Sequence, residues 1–149
     1  MSALARADAI CTERGGQLTP LRRAVLQELL EAEVPMGAYA LLDRLRTTRT
    51  GAAPPTVYRA LDFLMSRGLV HRIERLNAFL PCSSLASTTG HAPHDHDRQF
   101  LICGRCGAAT ELQDPAVTAA LAASAARAGF VPHNASVEVT GICAGCRGR

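Results

Sequence analysis

Pro54-Pro55-Thr56-Val57-Tyr58-Arg59-Ala60-Leu61-Asp62-Phe63-Leu64-Met65, closed by Gly68, is the stretch that decides the fold. Two consecutive prolines suit the first turn of a helix and are excluded from its interior. Val57, Leu61, Leu64 and Met65 then recur at helical spacing and form one apolar stripe, and Gly68 supplies the stop. Tyr58 and Arg59 stand near the start of this helix, outside that apolar stripe.

The flanks complete a domain. Downstream, Leu69 to Leu80 carries β-branched and apolar residues on either side of Arg75-Leu76-Asn77, which predicts a two-stranded ribbon with a turn at its centre. Upstream, Thr19 can cap a helix that begins at Pro20 and places Leu21, Val25 and Leu29 on one side. Gly37 to Arg46 reads as a further short helix with Tyr39, Leu42 and Leu45 on one face, followed by a polar loop from Thr47 to Ala53. A first helix spans about Leu4 to Arg14, with Cys11 as a small buried residue on it. Helices ending in a ribbon predict a winged-helix domain over residues 1–82.

Residues 83–97 are polar and rich in Ser, Thr, Gly and His, the composition of a hinge or linker. Beyond it, Gln99 to Ile102, Ala108 to Leu112 and Ser136 to Ile142 read as strands. Asp114-Pro115 opens a helix that runs to about Ala128. The expected fold class is α+β: an N-terminal winged helix, then a small α/β module over residues 98–149, which the family resemblance described below makes a dimerisation domain and the cysteine spacing described below staples with a four-cysteine zinc site.

Composition narrows the setting. A chain of 149 residues, 48% hydrophobic and 19% charged, has a folded protein's profile, and no apolar run approaches the ~20 residues of a membrane span. Charges at Arg6, Asp8, Glu13 and Arg14 leave no apolar signal-peptide core, which predicts a cytoplasmic location. The net charge of +3 is uneven: residues 1–82 hold 11 Arg against 8 acids, and residues 83–149 hold 5 against 5. All the cations are Arg, which suits bidentate contacts to phosphate or guanine and equally fits a coding bias in the source genome.

In a reducing compartment thiols serve more often as metal ligands or reactive groups than as disulfide partners. Cys103-Gly104-Arg105-Cys106 and Cys143-Ala144-Gly145-Cys146 have the spacing at which paired thiolates bind one tetrahedral ion, and four thiolates make a closed structural zinc site. A redox dithiol needs only one such pair, usually at a helix amino terminus after a strand. His71, Cys82, His91, His94, His96, Glu111 and His133 form a second pool of candidate ligands around the domain junction. Such a mixed N, S and O set suits zinc and, drawn from both domains, would fix their relative orientation.

The strings Leu18-Thr19-Pro20-Leu21-Arg22-Arg23, Pro55 to Leu64, Gly68-Leu69-Val70-His71-Arg72-Ile73-Glu74, Phe100-Leu101-Ile102-Cys103-Gly104-Arg105-Cys106-Gly107 and Gly141-Ile142-Cys143 with Cys146 occur in an order that resembles the ferric uptake regulator family. The resemblance covers almost the whole chain and is strongest to the zinc uptake regulators within that family. It implies a regulatory zinc set of His71, Cys82, His96 and Glu111, and DNA contact through Tyr58 and Arg59, with Thr56 and Arg22 as further candidates. It also implies that some members carry an additional metal site, for which His94 and His133 are candidates. Iron-sensing members usually carry a His-rich stretch running into the first Cys pair, and Phe100 stands there instead.

The implied function is a zinc-responsive repressor that binds palindromic operator DNA as a homodimer. Zinc acts as corepressor, zinc-uptake genes are the expected target, and there is neither a small-molecule substrate nor a membrane partner. The alternative within the family is an iron, manganese or peroxide sensor. A zinc-dependent hydrolase or deaminase is more remote, because the chain has neither His-Glu-x-x-His nor the deaminase His-x-Glu, so no enzyme activity is expected.

Overall fold

The structure, a computed structural model, describes residues 1–49, 52–86 and 97–149. The chain divides into two compact units, Met1–His94 and Asp95–Arg149.

The first unit holds α1 (Ala3–Glu13), α2 (Pro20–Glu31), α3 (Ala38–Thr48), α4 (Pro54–Ser66), β1 (Val70–Ile73) and β2 (Ala78–Pro81). Its helix starts are chemically marked. Ser2 accepts from the Ala5 amide, and Thr19 accepts from the Arg22 amide just before Pro20. Ala53 caps α4 without a side-chain bond, and Pro54 and Pro55 remove two amides that would otherwise need partners there. Thr56 is therefore a first-turn residue, exposed to solvent, and not a cap. Gly68 ends the α4 region at φ 69°, a conformation open to glycine, and the Leu69 amide bonds back to the Leu64 carbonyl at 2.9 Å.

The core is built from Val25, Leu26 and Leu29 of α2, Leu41, Leu42 and Leu45 of α3, and Val57, Ala60, Leu61 and Leu64 of α4, joined by Leu69, Val70 and Phe79. Cys11 lies fully buried in it, as expected of a small apolar residue on α1. Three stripes differ from the sequence reading. Leu26 replaces Leu21 in the buried arc of α2, and Ala60 replaces Met65 in that of α4, because each helix packs against several neighbours and buries a wider arc than a four-residue stripe. Tyr39 is 68% exposed although it was expected on the inner face of α3. Ala38 takes that face, and the next residue is rotated by about 100°.

The ribbon pairs β1 and β2 antiparallel, His71 opposite Leu80 and Ile73 opposite Ala78. Its turn places Asn77 at φ 45°, a left-handed conformation that asparagine tolerates better than most residues. Met36 bridges Phe79 on the outer edge of β2, so the α2–α3 connection adds a third short extended piece. After β2 the chain forms a 3-10 turn, Ser83–Leu85, whose Leu85 is buried in the core.

The second unit holds β3 (Arg98–Cys103), β4 (Ala109–Leu112), α5 (Pro115–Arg127), β5 (Ser136–Gly141) and a short α6 (Ala144–Arg147). The sheet order is β4-β3-β5, with β3 antiparallel to β4 and parallel to β5. The parallel pairing of β3 with β5 is possible because β4 and α5 lie between them in the chain and supply the long connection that parallel strands need. Buried Gln99 ties the sheet to the start of α5: its amide nitrogen donates to the Asp114 carbonyl and to Thr118 Oγ1, and its oxygen accepts from the Asp114 amide. No residue of α5 is buried, although the helix is mostly Ala with Val117 and Leu121. No helix among the described residues is long and apolar enough to cross a membrane.

Candidate metal centres and nucleic-acid interface

The four cysteines of the second unit converge from two separate segments. Cys103 ends β3, and Gly107, at φ 77°, folds the chain back so that its amide bonds the Cys103 carbonyl at 3.1 Å and brings Cys106 round. Cys143 caps α6, whose single turn presents Cys146 on the same side. The Gly104 amide bonds the Gly141 carbonyl at 2.8 Å and locks the two turns together. All four Sγ atoms lie within 4.8 Å of one another. Cys106 and Cys143 are 3.8 Å apart, about the edge of a sulfur tetrahedron built on ~2.3 Å zinc–sulfur bonds.

Electrostatics agree with the geometry. The backbone amides of Cys106, Cys143 and Arg105 aim at the Cys103 sulfur and lower its pKa to about 6. Cys146 is pushed up to about 12, first by its hydrogen bond to Cys143 and then by burial. Four clustered thiols thus have one ready thiolate and one firmly held proton. A divalent cation at their centre is the partner that would let all of them ionise. Arg105 braces the assembly: its Nη1 donates to the Cys146 carbonyl at 3.0 Å and to the Arg149 carbonyl at 3.3 Å. Sequence reasoning gave Arg105 no role, since its carbonyl partners lie on the distant second knuckle.

In the first unit, His71 and Cys82 form a second pair. The Cys82 amide bonds the Leu69 carbonyl at 2.9 Å, extending the β1–β2 ladder by one step, so His71 and Cys82 are diagonal neighbours on one face of the ribbon. Both are buried, and a ring nitrogen of His71 lies within 4.8 Å of the Cys82 sulfur. The Cys82 sulfur also lies 2.9 Å from Ser84 Oγ. Glu111 sits half-buried on β4, opposite Phe100 of β3. His133 is exposed between α5 and β5. His91, His94 and His96 fall outside the described residues.

The outer face of α4 carries Thr56, Tyr58 and Arg59, all exposed, while Val57 and Ala60 beside them are buried. The Arg59 side chain makes no hydrogen bond or ion pair among the described residues. Three other arginines of this unit, Arg22 among them, are engaged internally. Arg22 stacks its guanidinium 3.5 Å from the centre of the Phe63 ring and donates to the Gln17 carbonyl. Arg23 pairs with Asp8 at 3.1 Å, and Arg72 donates to Asn77 Oδ1. Tyr39, at the first turn of α3, is the other exposed tyrosine of this unit.

The ferric uptake regulator family model matches residues 13–140, from the end of α1 through β5. The chain belongs to the ferric uptake regulator family. Among family relatives, the zinc uptake regulation protein of Escherichia coli is 39% identical over 143 residues, 96% of this chain and 80% of that protein. A solved zinc uptake regulator complexed with zinc and DNA is 39% identical, with a TM-score of 0.86 over 97% of this chain and 93% of that one. The holo form of XcZur is 44% identical, with a TM-score of 0.84 over 98% of this chain and 97% of that one. The winged helix and the small cysteine-bearing α/β unit expected from the sequence are thus the family fold.

Proposed function

We propose that this protein is a zinc-responsive DNA-binding transcriptional repressor that acts as a homodimer, with zinc as corepressor at genes for zinc uptake. The observation that carries the reading is the pairing, within one small unit, of an exposed, uncommitted Arg59 on α4 with two buried candidate ligands, His71 and Cys82, on and beside the ribbon. The first can read or grip DNA, and the second can sense a metal. Likeness over nearly the whole chain to a zinc uptake regulator complexed with zinc and DNA supports both halves.

On this reading α4 lies in the major groove, with Arg59 directed at a guanine edge or a phosphate and Tyr58 and Thr56 beside it. Arg22, held against Phe63, steadies the α2–α4 contact and keeps donor groups for a backbone phosphate. Cys103, Cys106, Cys143 and Cys146 hold a permanent zinc that folds the second unit. The exposed apolar residues of that unit, Leu101, Leu121, Phe130, Val131 and Val139, supply the surface for a second copy. Palindromic operator DNA matches a two-fold dimer.

The regulatory zinc would be held by His71, Cys82, His96 and Glu111, a set drawn from the ribbon and its end, the hinge, and the strand β4. A ligand set of that origin ties metal occupancy to the spacing of the two recognition helices. A few kcal/mol of differential binding is enough to shift such a population. Thiolate and imidazole favour zinc over manganese or iron(II), which ranks the zinc sensor above its family alternatives. No catalytic residue is required by this reading, and the cytoplasm, where the chromosome is, is the place of action.

Operator binding against buffered free zinc, compared between wild type and Cys82→Ser, tests the proposal. The variant should keep its fold, its dimer and its four-cysteine zinc, while half-saturation of the operator moves to much higher free zinc or is lost. Superimposable curves would remove Cys82 from the sensor and reopen the iron-sensing alternative.

A further inference from the structure

Cys82 has a neighbour that the ligand set does not include. Ser84 Oγ lies 2.9 Å from the Cys82 sulfur, close for an oxygen–sulfur hydrogen bond, and the two side chains are fixed relative to each other by the backbone. The Cys82 amide is tied to the Leu69 carbonyl at 2.9 Å, and the Cys82 carbonyl accepts from the Leu85 amide at 3.1 Å. Leu85 in turn is buried in the core of the first unit. The 3-10 turn Ser83–Leu85 is therefore anchored on both sides, and Ser84 is held, half-buried, over a nearly inaccessible thiol.

We propose that Ser84 is a positioning residue of the regulatory zinc site, its hydroxyl donating to the Cys82 sulfur and thereby setting the free-zinc concentration at which the protein responds. The proposal rests on the reading of Cys82 as a regulatory ligand. As a thiol, Cys82 can donate to or accept from Ser84, a neutral bond of ordinary strength. As a metal-bound thiolate it has no proton and can only accept, so the serine hydroxyl must donate, and a hydrogen bond to a charged acceptor is the stronger kind. The hydroxyl thus stabilises the ligating form more than the free form. It also fixes the direction of the sulfur lone pairs, as outer partners of metal ligands generally do.

The test uses the full-length dimer with its structural zinc in place and compares wild type, Ser84→Ala, Ser84→Thr and Cys82→Ser. Zinc affinity of the exchangeable site is measured by chelator competition. The same site, loaded with cobalt(II), reports the thiolate directly through its sulfur-to-metal charge-transfer band. Ser84→Ala should weaken exchangeable zinc by ~10-fold or more and leave the tightly held zinc count unchanged. Its cobalt band should move to lower energy, because the sulfur lone pair is no longer lowered by a donor. Ser84→Thr keeps the hydroxyl and should restore both readouts.

Wild-type titration and band for Ser84→Ala, alongside a displaced Cys82→Ser, would overturn the role of Ser84 and spare the site. A Ser84→Ala shift that threonine fails to restore would overturn the hydrogen bond in favour of packing. An unchanged titration for Cys82→Ser would bring down the regulatory-site reading itself, and the proposal with it.

Discussion

The two units of this chain are stabilised by different means. The first closes a core of fully buried aliphatic side chains drawn from every one of its helices and from its ribbon. The second buries little beyond Gln99, Phe100, Ile102 and Cys103 of its central strand, and leaves Leu101, Leu121, Phe130, Val131, Val139 and Ile142 exposed. A unit of its size has too little interior to fold on apolar burial alone, so it relies on external agents: a metal ion at its four cysteines and a second copy over its open apolar surface. The first unit thus has an apolar interior that needs no metal to close it, whereas the second has its cysteine cluster where an interior would be. On the proposed reading, that division would let a permanent zinc secure the dimer and leave a second, exchangeable zinc free to signal.

The largest effect should come from removing a structural ligand. Cys103→Ser takes away the sulfur toward which three backbone amides point and leaves an incomplete tetrahedron. Structural zinc in small domains contributes on the order of 10 kcal/mol or more of apparent folding free energy. The variant should lose its tightly bound zinc and its dimer while the first unit keeps its cooperative unfolding transition. Zinc counting with sizing chromatography checks this, and a stable zinc-free dimer would erase the proposed contrast between the units.

The next effect down belongs to the first unit. Leu61→Ala opens a cavity at a fully buried position of α4 and should cost ~2–5 kcal/mol in that unit's unfolding free energy. The number of tightly held zinc ions per chain should not change. A variant that loses structural zinc would show that the two units do not fold separately, measured by denaturant unfolding and metal analysis on one sample.

The smallest effect on stability, and a specific one on function, is expected at the surface of the same helix. Arg59→Ala should leave unfolding and zinc content unaltered and weaken operator binding by ~1–3 kcal/mol, with a shallower salt dependence if the lost contact is to phosphate. Wild-type operator affinity for Arg59→Ala would mean that α4 is not the reading helix.

Much of this was legible along the chain. Pro54-Pro55 and Gly68 mark the ends of α4 because proline and glycine act through the backbone of their own position. Each Cys-x-x-Cys pair is legible for the same reason, since a turn of four residues suffices to bring its two sulfurs together. The face of a helix is less local. Tyr39 has the spacing of a core residue, and only the packing of α3 against α2 and α4 turned it outward and buried Ala38 and Leu41 instead.

What the sequence by itself determined, then, is whatever neighbouring residues settle among themselves: element boundaries, the ribbon turn at Asn77, both cysteine pairs and the candidate ligand types. What only the tertiary structure decided are relations between segments far apart in the chain. The stack of Arg22 on Phe63, the brace from Arg105 to the Cys146 carbonyl and the diagonal pairing of His71 with Cys82 are of this kind. Each depends on strand register or helix packing, which is fixed when the whole unit minimises its exposed apolar surface and satisfies its buried polar groups together, and no short stretch of residues carries that outcome alone.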